Sequence, residues 1–280
     1  MKTISTVAEL RAALAEARRP LGLVPTMGFF HAGHLSLMRA ARSANATVVV
    51  SLFLNPTQFR PNEDLDAYPR DEARDLQRAE AEGVDIVFAP TVEEVYPTGF
   101  DTTVEVGGLT ESLEGGARPG HFRGVTTIVT KLLNIVGPDA AYFGQKDAQQ
   151  ALVISKLVRD LNIPVRIEVC PTVREADGLA MSSRNAYLDD EERKRATALS
   201  RALRAAEQVV ADGRIDAASV VGAARHELDA AGIDPDYLEL RSLTDLTPAE
   251  RVNGSTLLAV AARVGRARLI DNTLLKDKRT

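Results

Sequence analysis

Apolar residues in the first 170 positions come in short runs separated by helix-like stretches. Leu21-Gly22-Leu23-Val24-Pro25 reads as a strand, and a helix is expected from about His34 to Ser43. The β-branched run from Thr47 to Leu54 predicts a buried strand. A charged helix over Asp71 to Glu82 precedes a third strand, Val84 to Phe88. Val125, Ile128, Val129, Leu132, Leu133 and Val136 recur at helical spacing, and Gly137-Pro138 ends that helix. Ala140 to Phe143 reads as a strand, Asp147 to Asp160 as a helix and Pro164 to Val169 as a strand. Apolar strands alternating with helices predict a parallel sheet covered on both faces. Ligands of such sheets bind beyond the carboxyl ends of the strands. The loops after Pro25, Leu54, Phe143 and Val169 should therefore meet on one edge.

The pattern changes after about residue 185. Asp189 and Glu192 have the spacing of a helix-capping box, and Ala196, Leu199, Leu203, Ala206 and Val210 then form one apolar stripe. A second helix is expected from near Asp216 to Ala231, stopping at Gly232. Strand-like runs follow at Tyr237 to Leu240, Thr256 to Ala262 and Ala267 to Ile270. Helices followed by strands suggest a separate small α+β domain. The expected division is 1–172 and 173–280.

Composition narrows the function classes. With 45% hydrophobic and 26% charged residues, the 280-residue chain is an ordinary globular one, not a disordered one. A net charge of −5 argues against a dedicated nucleic-acid binder. Cys170 is the single cysteine, which excludes an internal disulfide and a cysteine-based metal cluster. Met1 to Ser5 lacks a signal-peptide core, and no run is long enough to cross a membrane, so a cytoplasmic location is expected.

Only four histidines occur, and two of them fall in Pro25-Thr26-Met27-Gly28-Phe29-Phe30-His31-Ala32-Gly33-His34, at a strand end that opens a helix. Two imidazoles beside helix-start N–H groups suit an anion such as phosphate. Two unrelated surface histidines, or half of a metal site, are the plainer readings. A metal site would need further ligands, and only His121 and His226 remain. Glu63, Asp64 and Asp66 read as flexible acidic surface, and no metal site is assigned there.

The spacing HxGH after a first strand resembles the nucleotidyltransferase and class I aminoacyl-tRNA synthetase superfamily. Four further motifs follow in order. They are Phe53 to Phe59 (FLNPTQF), Glu114 to Val125 (EGGARPGHFRGV), Phe143 to Gln150 (FGQKDAQQ) and Asp177 to Asn185 (DGLAMSSRN). Together the five resemble the pantoate–β-alanine ligase (AMP-forming) family across essentially the whole chain. Phe30 and Leu54, where the family more often has Leu and Val, are apolar exchanges.

That resemblance implies a Rossmann-like α/β N-terminal domain with a smaller α+β lid domain. It implies ATP-dependent condensation of (R)-pantoate with β-alanine through pantoyl adenylate, releasing pyrophosphate and AMP, with Mg²⁺ on the triphosphate. ATP would meet Met27, Gly28, Phe29, Phe30, His31, Ala32, Gly33, His34, Gly144, Gln145, Lys146, Asp147, Val173, Met181, Ser182, Ser183 and Arg184. Within that set Lys146 would lie at the phosphates, Asp147 at the ribose and Val173 at adenine. Gln58 and Gln150 would bind pantoate, with Asn55, Tyr68 and Arg118 as further substrate contacts. His34, His31 and Lys146 are the expected catalytic groups. A homodimer is implied as well.

Several local alternatives remain open at this point. Asp147 and Gln150 also have the spacing of a capping box. Ser182-Ser183-Arg184 also reads as a polar turn, and Arg118 as a solvated loop arginine. His34 would be the proton donor by resemblance, but pyrophosphate needs no proton to leave near neutral pH, so charge stabilisation explains it equally well. A nucleotidyltransferase that keeps the nucleotide in its product, and a non-catalytic nucleotide-binding module, are the rival functions.

Overall fold

The computed structural model describes residues 1–61, 63–254 and 256–277. The chain forms two compact units: Met1–Gln145 with Gln149–Pro171, and Lys146–Ala148 with the chain from Thr172 on.

The first unit opens with β1 (Lys2–Ile4), α1 (Val7–Ala15), β2 (Leu21–Thr26), α2 (Ala32–Ala44) and β3 (Thr47–Leu52). It continues through α3 (Glu72–Ala81), β4 (Ile86–Phe88), α4 (Val92–Val95), α5 (Leu113–Ala117) and α6 (His121–Val136). It ends with β5 (Ala140–Gly144), α7 (Ala148–Asp160) and β6 (Arg166–Cys170). The strands build one six-stranded sheet in the order β1-β4-β3-β2-β5-β6, and every neighbouring pair is parallel. Val24, Val48, Val50, Val87 and Ala140 pack with Leu37, Met38 and Ala41 of α2 in one buried cluster. The continuous apolar runs of the strands follow from this two-sided cover.

From β2 the chain steps outward through β3 and β4, then returns to β5 and β6 on the other side. The winding reverses between β2 and β5, which makes their carboxyl ends the expected ligand crevice. The β2–β5 pairing covers Gly22 with Ala140 and Leu23 with Ala141. Beyond it the strands run on to Thr26 and Gly144, where the histidine motif and the Gly144-Gln145-Lys146 turn begin.

The sequence pattern predicts no element before Leu21, yet two form there. β1 is a three-residue strand with only Ile4 partly covered, and α1 buries Leu10 alone, so neither carries a strong periodic signal. Gln145–Asp147 form a 3-10 turn ahead of α7, and the Asp147 carboxylate lies 3.6 Å from Lys146 Nζ.

The second unit holds α8 (Asp190–Ala211), α9 (Ala217–Ala230) and an antiparallel sheet of β7 (Pro235–Ser242), β8 (Thr256–Val264) and β9 (Ala267–Leu275). Here the capping box does form. Asp189 accepts from Glu192 N–H at 2.8 Å, and Glu192 accepts from Asp189 N–H at 3.1 Å. Leu199, Leu203 and Ala206 of the expected stripe are buried with Val220, Leu228, Leu258 and Val260. Among the described residues no helix is long and apolar enough to cross a membrane.

Candidate active site

The loop leaving β2 is tightly wound. Gly28 has φ +94°, and a Cβ there would stand 2.8 Å from Leu52 Cδ1. Phe29 follows at φ +52°, a left-handed conformation that is uncommon outside glycine. The turn is held by α3. Asp75, 1% exposed, accepts from Phe29 N–H at 2.6 Å and from Phe30 N–H at 2.7 Å. Arg74 and Arg78 donate to the Phe30 carbonyl, and the Arg74 guanidinium sits 4.5 Å from the Phe29 ring centroid. Burial raises the Asp75 carboxyl above the usual carboxylate range, against the pull of its two amide donors.

His31 is the N-cap of α2. Its Nδ1 accepts from Gly33 N–H at 3.2 Å, and His34 Nδ1 accepts from His31 N–H at 3.4 Å. The two rings stack with centroids 4.0 Å apart. An Nδ1 that accepts leaves the proton of a neutral imidazole on Nε2. Both rings are thus set as Nε2–H donors. The N–H groups of Phe29, Phe30, His31 and Gly33 have partners within the chain. Phe30 itself is fully buried, so its side chain shapes the loop from inside.

A second cluster forms after β3. Asn55 caps a 3-10 turn over Pro56–Gln58. Its Oδ1 accepts from Tyr96 Oη and Thr57 Oγ1, each at 2.9 Å. Its Nδ2 donates to Gln58 Oε1 at 3.1 Å and to the Gly124 carbonyl at 3.2 Å. The Gln58 oxygen is thereby occupied, and its Nε2 points as a donor to Met27 Sδ at 2.9 Å. Asn55 is 1% exposed and both ends of its amide are committed, so the structure makes it the support of Gln58 rather than a substrate contact. Tyr68 is buried edge-on to Phe59, with centroids 6.0 Å apart.

Arg118 is not the solvated loop residue of the plainer reading. Its guanidinium pairs with Glu63 at 2.5 Å, meets His121 Nε2 at 3.2 Å and donates to the Gln58 carbonyl at 3.3 Å. His121 Nδ1 bonds the same carbonyl at 2.8 Å. Glu63 is accordingly a counter-ion and not flexible acidic surface. Arg118 holds the Glu63 carboxyl below the usual range despite burial. Burial, then the Arg118 charge, pushes His121 down to about 4. A neutral His121 is what the geometry needs, since its Nε2 accepts from Arg118.

The β5 end carries Gly144 and Gln145 into Lys146, whose carbonyl accepts from Asn272 Nδ2 at 2.8 Å. In α7, Gln149 is buried and bonds Glu114 N–H and the carbonyls of Leu109 and Ser112, while Gln150 is only partly covered. In the second unit, Val173 accepts from Met181 N–H at 2.9 Å across a narrow hairpin that turns at Gly178, φ +92°. Arg174 braces it through a two-pronged bond to buried Asp271, at 2.6 and 3.0 Å. Ser182 accepts from Arg184 N–H at 3.3 Å and caps a 3-10 turn over Ser183–Tyr187, with Ser183 buried. The polar-turn reading thus describes this segment's local form.

Sequence reasoning missed Asp75, Tyr96, Glu63 and His121 as site-building residues. Asp75 had a signal. It lies four positions before Ala79, so it shares the buried face of α3 where an apolar residue would be expected. Among the described residues no group of three or more His, Cys, Asp or Glu side chains is placed to hold a metal.

A sequence profile described as pantoate-beta-alanine ligase matches residues 2–274. A pantothenate synthetase of Roseiflexus castenholzii is 54% identical over 99% of this chain and 100% of its own length. One from Moorella thermoacetica is 54% identical over 99% of each chain. The crystal structure of pantothenate synthetase from Thermus thermophilus superposes with a TM-score of 0.95 at 50% identity, covering 99% of this chain and all of that one. A Francisella tularensis pantoate-beta-alanine ligase, complexed with beta-gamma ATP and beta-alanine, gives a TM-score of 0.83 at 34% identity over 98% and 97% of the two chains. The chain belongs to the pantoate–β-alanine ligase family.

Proposed function

We propose that the chain joins (R)-pantoate to β-alanine in two steps at the site described, with the histidine pair serving the first. ATP is a substrate. The pantoate carboxylate attacks the α-phosphorus, and the bond to pyrophosphate breaks. The β-alanine amine then attacks the acyl carbon of pantoyl adenylate, AMP leaves, and the amine gives up a proton. A carboxylate approaching a polyphosphate meets like charge, so the site must supply donors fixed in advance and hold the reactants in line.

The observation that carries this reading is the pair of stacked imidazoles at the β2 end, each with Nδ1 tied to a backbone N–H. Their Nε2–H groups suit phosphate oxygens that gain charge in the transition state. His34 and His31 are read as charge stabilisers, because neutral rings held this way donate hydrogen bonds without surrendering a proton. Gln58 Nε2 and Gln150 are assigned to pantoate. Lys146 and Arg184, with Ser182, Ser183 and Met181, are assigned to the phosphates, and Val173 to adenine. Asp147 is assigned to the ribose hydroxyls. Mg²⁺ enters with ATP as part of the substrate, held by phosphates and water, as is usual for this ion. The molecule is assigned as a cytoplasmic homodimer, and light scattering should find twice 30.2 kDa.

The reading is tested by pantoate-dependent exchange of labelled pyrophosphate into ATP, without β-alanine. Exchange is expected only when pantoate is present. Its absence with folded protein would remove the adenylate from the account.

A further inference from the structure

We propose that Asp75 is a positioning residue for adenylation: its buried carboxylate fixes the backbone of residues 28–30, and through it the place of the two imidazole donors. The inference rests on the reading that His31 and His34 serve the first step.

Successive backbone N–H groups in a left-handed turn form a concave nest that binds anions. The Gly28–Phe30 turn, with φ +94° and +52° at its first two residues, is such a nest. Its anion is supplied from within the protein. Each Asp75 oxygen takes one N–H, at 2.6 and 2.7 Å, so the carboxylate bridges two consecutive peptide units. A left-handed phenylalanine persists only where its surroundings over-determine it. Here the surroundings are the carboxylate below, the Arg74 guanidinium against the ring and two arginine donors on the Phe30 carbonyl.

His31 follows directly. Its N–H is the donor to His34 Nδ1, and its ring caps α2. A shift of the Phe30 peptide therefore moves both imidazoles together. The nest also explains how phosphate is received. The loop amides are held by a fixed internal charge, so the incoming anion meets the Nε2–H groups instead. Asp75 touches no reacting atom in this scheme. Its charge sets geometry.

Asparagine at this position keeps the size but offers one acceptor for two N–H groups. Its amide NH₂ would face the second N–H. In Asp75→Asn, pantoate-dependent pyrophosphate exchange should fall about 100-fold, the scale expected when a catalytic group is displaced by about 1 Å. Pantoate affinity, measured by calorimetry, should stay within about twofold, because Asn55 orients Gln58, which meets the β2 loop only through Met27, ahead of the Gly28–Phe30 turn. The Phe29 and Phe30 amide protons should resonate far downfield in the wild type, given their short bonds to a carboxylate, and in Asp75→Asn should move upfield and exchange faster. Exchange activity within about threefold of wild type would overturn the proposal, as would a matching loss of pantoate affinity, which marks general damage. If Asp75→Asn does not fold, Asp75→Glu decides. It keeps the charge but moves it by a methylene, and an activity loss of about tenfold is expected, whereas wild-type activity would overturn the proposal. If the wild-type protein itself shows no exchange, the adenylation reading has failed instead.

Discussion

Each group assigned to a substrate owes its direction to a neighbouring group of the chain. Gln58 presents an N–H₂ because Asn55 occupies its oxygen, and the imidazoles present Nε2–H because backbone amides occupy Nδ1. Two outcomes follow at this scale. His34→Ala should lower turnover by about 10²- to 10³-fold, the range for loss of an oriented transition-state donor, while circular dichroism shows the fold retained. Near-normal turnover would take His34 out of the mechanism. Gln58→Glu keeps an oxygen for Asn55 but turns the donor into an acceptor. The KM for pantoate should rise at least about tenfold with the KM for ATP unchanged, since a lost bond and an unpaired polar group together are worth about 1–3 kcal/mol. The residue types of the motifs were legible from sequence, since few side chains suit phosphate or a hydroxy acid. Their supports were not. Asp75 and Glu63 looked like ordinary charges on a helix and a loop, because burial and pairing depend on what the fold brings against them.

Among the elements, the parallel sheet and its covering helices were readable, since buried strands print continuous apolar runs and α6 prints a clear helical stripe. β1, α1 and the turn before α7 were not, because they bury too little or follow a tertiary constraint. The fit between α6 and the Pro56–Gln58 turn is an element-scale feature with a sharp test. A Cβ on Gly124 would stand 2.3 Å from the Thr57 carbonyl oxygen. Backbone cannot yield as a flexible side chain does, so Gly124→Ala must push helix and turn apart. Pantoate affinity should fall about tenfold or more, and the protein should lose about 1–3 kcal/mol of stability, readable as a lower urea midpoint. An unchanged midpoint and affinity would show that the turn is not seated on α6.

At the scale of the whole molecule, the net charge of −5 does not exclude an anionic ligand, because the cations assigned to it are a local set. Lys146 and Arg184 belong to the second unit by their contacts, although Lys146 lies between two elements of the first. The chain's pH response is also a whole-molecule property. His121 has an ordinary value of 6.5 unfolded and about 4 folded, so the unfolded state binds more protons between those values. Stability should therefore fall as pH drops from 6.5 towards 4. Glu63, lowered by Arg118, adds to the loss further into acid, while Asp75, raised by burial, works in the opposite sense. His121→Asn keeps a donor for the Gln58 carbonyl and removes the titration, so the slope of stability between pH 6.5 and 4 should flatten. An unaltered slope in urea melts would show that His121 is not the group responsible.

The central claim is a ligase that passes through an adenylate. The most direct measurement is the product set formed from ATP, Mg²⁺, (R)-pantoate and β-alanine by the purified protein. The account predicts equal amounts of pantothenate, AMP and pyrophosphate, with no AMP when pantoate is left out. A product that retains the nucleotide, or ATP consumed to ADP, would contradict it.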